Sequence, residues 1–158
     1  MCADKSARVN WLPDPQSQID TAWLWPYSAT RQKTARSWST QVDLMKRYPE
    51  FTFVASQAQQ FAWLEKVALP YSRVPTRLYS RLCHDQDYPL LFQEIKGKVD
   101  AGQFQPIGGC WVECDTNMPS GEALCRQFLY GQRYYKSRFG KYTRTFWSAS
   151  LLLLLDSH

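Results

Sequence analysis

Histidine is scarce in this chain, with two among 158 residues, His84 and His158. One sits in a stretch without hydrophobic period and the other at the end, so a Ser/His/Asp relay is not expected. A dominant charge of one sign is missing as well. Nineteen Lys and Arg face fourteen acidic residues, a net +5, and the basic residues are spread rather than blocked together. Nothing therefore marks a nucleic-acid surface. Long apolar runs are missing too: Leu151 to Leu155 falls far short of the roughly 20 residues a membrane span needs. The opening Met-Cys-Ala-Asp-Lys-Ser-Ala-Arg has no apolar core of the kind a secretory signal carries. The five cysteines (Cys2, Cys83, Cys110, Cys114, Cys125) form no CxxC pair and have no adjacent His that would complete a zinc knuckle. They read as thiols of a reducing compartment. Gly108-Gly109 runs into an extended stretch instead of opening a helix, which argues against a phosphate cradle.

What the chain has in quantity is aromatic side chains, 15% of residues with seven Trp and nine Tyr. Such enrichment suits a carbohydrate surface or a thick α/β core. The length suits one domain with a real core. The stretch Gln18-Ile-Asp-Thr-Ala-Trp-Leu-Trp-Pro26 encloses an acid among apolar and aromatic neighbours. A carboxylate there must be capped by hydrogen bonds or held by a metal, since burying it unpaired is costly. Two indoles two residues apart offer flat faces of the kind sugar rings pack against.

Residues 1–17 read as irregular, with Pro13 and Pro15. Gln18 to Leu24 reads as a short buried strand, with Ser28 as N-cap of the next helix. Ala35, Trp38, Val42 and Met45 recur at spacings of three and four and predict a helix from Ala29 to Tyr48. Phe51 to Ser56 predicts a strand and Gln57 to Lys66 a second helix with Phe61 and Leu64 inward. A helix leading directly into an apolar strand implies a crossover and a parallel sheet. Val67 to Gln86 breaks the order with Pro70, Pro75 and no period. Asp87, Pro89 and Gly102 then bracket a helix with Leu91, Ile95 and Val99 on one face. Phe104 to Asp115 predicts a strand whose glycine pair signals a bulge or a close backbone approach. Glu113, Asp115 and Asn117 would project together from it. Ser120 and Gly140 bracket a last helix with Leu124, Phe128 and Tyr135 inward, and Tyr142 to Trp147 could begin a fourth strand. The pattern is an α/β fold with a parallel sheet. Functional side chains are expected past the carboxyl ends of its strands, at Asp20, at Ser56-Gln57 and at Glu113/Asp115/Asn117.

Several motifs come in a fixed order: Ile19-Asp-Thr-Ala-Trp-Leu-Trp-Pro26, Ala35-Arg-Ser-Trp38, Ser56-Gln-Ala-Gln-Gln60, Gly108-Gly-Cys-Trp-Val-Glu113, Pro119-Ser-Gly-Glu122 and Arg126-Gln-Phe-Leu-Tyr-Gly-Gln132. This series resembles the N-terminal catalytic domain of glycoside hydrolase family 38, the class II α-mannosidases, and its cytosolic or vacuolar branch most nearly. The resemblance implies a partial (β/α) barrel and a retaining, zinc-dependent hydrolase that removes terminal α-D-mannose from glycans or oligosaccharides. It implies Asp20 as a zinc ligand, Trp23 as a sugar-facing ring, and a cytoplasmic or vacuolar location without nucleic-acid or membrane partners. The alternative is a non-catalytic carbohydrate-binding remnant or pseudoenzyme.

The departures from the family pattern are specific. Gln18 stands where the family has a ligand histidine, and an amide is a poor zinc donor beside imidazole. Phe146-Trp147 runs into Ser148 and the leucines, where the family continues to its nucleophile. No catalytic residue is therefore assigned, and a complete zinc site is not expected. The 20 residues from Val67 to Gln86 read as a retained intron, since valine codons begin with GT and a glutamine codon can be CAG. Residues 148–158 read as an aberrant tail. Residues 18–147 are expected to be part of the family domain, interrupted by that insert.

Overall fold

The computed structural model describes residues 19–22, 24–65 and 88–147. The expected insert, the aberrant tail, Gln18 and Trp23 all lie outside them. Among the described residues, four helices and two strands follow in the order α1 (Tyr27–Arg47), β1 (Phe53–Gln57), α2 (Ala58–Glu65), α3 (Pro89–Asp100), β2 (Phe104–Cys110) and α4 (Gly121–Phe139). The strands pair in parallel, as the crossover predicts.

The helices pack against this ribbon around one shared core. Phe53 and Ala55 share a face by the period of a strand. Both belong to the core, with Phe104 of β2, Trp38 and Val42 of α1, Phe61 of α2, Ile95 of α3 and Tyr135 of α4. Trp38 is fully buried, its ring 4.6 Å from Phe61 and 5.3 Å from Phe104. Tilted and edge-on contacts of this kind add to the hydrophobic gain from burial. All four periodic residues of α1 face inward, as do Phe61 and Leu64 of α2. In α3 Phe92 takes the inward place expected of Leu91, beside Ile95 and Val99. In α4 Tyr135 and Gly131 are the buried positions, whereas Leu124 and Phe128 are only half covered.

Helix ends follow local chemistry. Ser120 accepts a hydrogen bond from the Ala123 N–H, and Gly140 closes α4 in the left-handed region at φ 71°. Gly102 ends α3 in the same way, at φ 79°. α1 differs from expectation. Its cap is Pro26, whose carbonyl accepts from Ala29 and Thr30, and Ser28 lies within the first turn.

Among the described residues, two of the four expected strands do not form, and glutamine side chains explain why. The Ile19 carbonyl accepts from Gln57 Nε2 at 3.0 Å and Gln60 Nε2 at 2.6 Å. Thr143 gives its N–H to Gln132 Oε1 at 3.0 Å and receives Gln132 Nε2 on its carbonyl at 2.9 Å. Backbone groups satisfied in this way need no neighbouring strand. The expected bulge is present. Ala55 pairs with Pro106 and Gln57 with Cys110, so β2 runs two residues longer between the same points. Gly108 and Gly109 take up the excess at φ 83° and 75°. A Cβ on Gly108 would lie 2.8 Å from the Ser56 carbonyl, too close for any side chain.

Candidate functional site

The carboxyl ends of β1 and β2 come side by side and meet the chain that leads into α1. Ser56 of β1 donates its hydroxyl to Glu113 Oε1. The second carboxylate oxygen, Glu113 Oε2, is buried and has no hydrogen-bond partner. Burial raises the pKa of Glu113 above the ordinary 4.5, the Ser56 hydroxyl offsets part of that, and the nearby charge of Asp20 raises it again. The Asp20 carboxylate is thus near enough to act on Glu113, although the two lie far apart along the chain.

The backbone around Asp20 is clamped on both sides. Gln57 and Gln60 hold the Ile19 carbonyl, and Thr21 Oγ1 donates to Gln57 Oε1 at 2.5 Å. The buried Thr30 hydroxyl donates to the Asp20 carbonyl at 3.0 Å and accepts from the Ala22 N–H and Trp25 Nε1. Ala22 is held at φ 60°, a left-handed conformation that costs an alanine about 1–2 kcal/mol. Strain of this kind persists where surrounding bonds over-determine it. Trp25 is not an open sugar platform, because Lys33 Nζ lies 3.3 Å from its ring centroid.

Of the expected polar clusters the structure brings together Asp20, Ser56, Gln57 and Glu113. It does not bring in Asp115 and Asn117. β2 ends at Cys110, where the chain leaves the ladder. Trp111 N–H donates to the Gln127 carbonyl and Val112 N–H to Gln127 Oε1, both at 2.9 Å. The period of two lapses there, and Asp115 accepts the Asn117 N–H in an exposed surface turn. Gln60 and Thr30 clamp Asp20 from afar, and no sequence pattern marks that role beyond an amide and a hydroxyl near helix starts. Cys110, Cys114 and Cys125 are reduced thiols. Burial first, then Cys114, pushes the Cys110 thiol up to about 12.

The model of the glycosyl hydrolases family 38 N-terminal domain matches residues 7–74 and 65–149. The chain belongs to this family. It is 47% identical over 130 residues to an alpha-mannosidase of Saccharomyces cerevisiae, and 47% identical over 129 residues to alpha-mannosidase 2C1 of Homo sapiens. It is 46% identical over 123 residues to alpha-mannosidase G of Dictyostelium discoideum. These alignments cover 82%, 82% and 78% of this chain and 10% of each relative, so the chain spans about a tenth of their length.

The family-38 resemblance implies zinc, and the described side chains can be tested for it. The partnerless Glu113 oxygen beside Asp20 suits a cation or a donor hydroxyl. Among the described residues, however, no three His, Cys, Asp or Glu side chains gather as a metal group would require. A catalytic zinc takes at least three protein ligands, and two carboxylates without imidazole do not supply that set. The described residues do not fit the ion, and no chemical step is derived through it. No described helix is long and apolar enough to cross a membrane.

Proposed function

We propose that this family-38 chain carries part of the mannose pocket of an α-mannosidase-type hydrolase, and that it binds terminal α-D-mannose of glycans without cleaving it. The observation that carries this reading is the convergence of Asp20 and Glu113 at the strand ends, with one carboxylate oxygen buried and partnerless. A sugar hydroxyl satisfies such an oxygen, and the cost of leaving it unpaired favours a bound donor. In this reading Asp20 descends from a zinc ligand and Trp23 from a sugar-facing ring. The family's route is retaining and zinc-dependent, and two features oppose it here. Gln18 occupies the place of the ligand histidine, and Ser148 follows Phe146-Trp147 where the nucleophile motif would continue. Cytoplasmic or vacuolar residence belongs to the same proposal, in keeping with the family branch that the ordered motifs resemble.

An assay of the purified chain on an aryl α-mannoside with added zinc tests this. The expected outcome is no release of the aryl group above a protein-free control. Zinc-dependent release that disappears in Asp20→Asn would overturn the non-catalytic reading and leave an active α-mannosidase.

A further inference from the structure

Cys110 and Cys114 stand four residues apart, with Glu113 between them. Cys110 ends β2 and is buried, whereas Cys114 is partly exposed. The chain that joins them is pinned. The Trp111 N–H donates to the Gln127 carbonyl and the Val112 N–H to Gln127 Oε1, both at 2.9 Å. The Trp111 carbonyl accepts from the Gln59 N–H at 2.9 Å, and Glu113 is held by Ser56. α4 lies directly behind this end of β2, since a Cβ on Gly131 would come 2.4 Å from the Cys110 carbonyl carbon. With the backbone fixed in this way the two sulfurs meet, and the Cys110 S–H donates to the Cys114 sulfur. Their surroundings are unequal. Burial first, then Cys114, pushes Cys110 up to about 12, so it waits as a thiol. Burial raises Cys114 as well, but the hydrogen bond from Cys110 opposes the rise. Cys114 is therefore the readier thiolate and the more accessible one.

We infer that Cys110 and Cys114 form a reversible redox site, a dithiol that becomes a disulfide by exchange with a small-molecule disulfide of the glutathione class. The Cys114 thiolate attacks one sulfur of that disulfide, which makes a mixed disulfide and releases one glutathione thiolate. Cys110 then attacks the Cys114 sulfur. The bond between Cys110 and Cys114 forms, the bond to glutathione breaks, and the Cys110 proton leaves with the second glutathione. The two cysteines lose two electrons and two protons, and the small disulfide takes them up as two thiols. The ring closed over residues 110–114 contains Glu113, so oxidation ties the backbone that carries this carboxylate. The inference stands whether or not the strand ends bind mannose.

The test is incubation of the whole 158-residue chain with glutathione and glutathione disulfide, then alkylation of the remaining thiols and cleavage after glutamate. Cleavage after Glu94, Glu113 and Glu122 puts Cys110, Cys114 and Cys125 on separate peptides. The expected product is the peptide 95–113 joined to the peptide 114–122, and dithiothreitol should part them. The same buffer in concentrated urea should give at least about tenfold less of the joined pair, because only the fold holds the sulfurs in contact. Cys110→Ser should leave glutathione on Cys114, and Cys114→Ser should leave Cys110 reduced. Cys125, exposed on α4, is the internal control and should carry only a glutathione adduct. Glutathione that stays on Cys114 in the parent chain overturns the inference, and so does equal joining in urea. A disulfide from Cys114 to any cysteine other than Cys110 overturns it as well.

Discussion

Glu113 is held where its neutral form is favoured. Burial and the Asp20 charge raise its folded pKa above 4.5, against the opposing Ser56 hydrogen bond. In the window from 4.5 up to that raised value the folded chain binds more protons than the unfolded one. The contribution of this group to stability therefore falls as pH rises through the window. Glu113→Gln keeps an acceptor for Ser56 and removes the ionisation. Urea unfolding at several pH values should show a flatter fall above pH 4.5 and a higher midpoint at neutral pH in the variant. A midpoint below the parent's at neutral pH would mean that the carboxylate itself stabilises the site.

At the level of elements, the packing of α4 on β2 depends on Gly131. A Cβ there would lie 2.4 Å from the Cys110 carbonyl carbon and 2.4 Å from the Gly109 carbonyl oxygen. Both are backbone atoms that cannot rotate away. Alanine favours a helix over glycine by about 1 kcal/mol, but overpacking of this kind costs about 1–3 kcal/mol. Gly131→Ala should lower the unfolding midpoint in urea, and Gly97→Ala, where nothing lies within 4 Å, should raise it or leave it unchanged. The helices were legible in the sequence because spacings of three and four are local, as with Ala35, Trp38, Val42 and Met45. The outer strands were not. Whether Ile19 or Thr143 joins a ladder depends on what meets its backbone, and Gln57, Gln60 and Gln132 meet it first. The same holds for Glu113, Asp115 and Asn117, whose shared face required a strand that Gln127 ends early.

For the whole molecule, the segment Val67 to Gln86 is proposed as an insert foreign to the domain. Joining Lys66 to Asp87 should raise both the thermal midpoint and the soluble yield. A shortened chain with a lower midpoint would show that the segment belongs to the fold. Among the described residues the ribbon of two strands has hydrogen-bonding edges beyond its one pairing, and an edge left uncovered invites association.

By itself the sequence determined the family, the helices, the parallel crossover and the glycine bulge, because each is written in local spacing or in ordered motifs. It also singled out Asp20, Ser56, Gln57 and Glu113 by their places after strands. Only the tertiary structure decided which of them meet. Ser56 reaches Glu113 because the bulge at Gly108-Gly109 brings the end of β2 against β1, and Asp20 is held nearby by Gln57, Gln60 and Thr30. Contacts between residues so far apart along the chain depend on how the elements pack, and no local pattern encodes that.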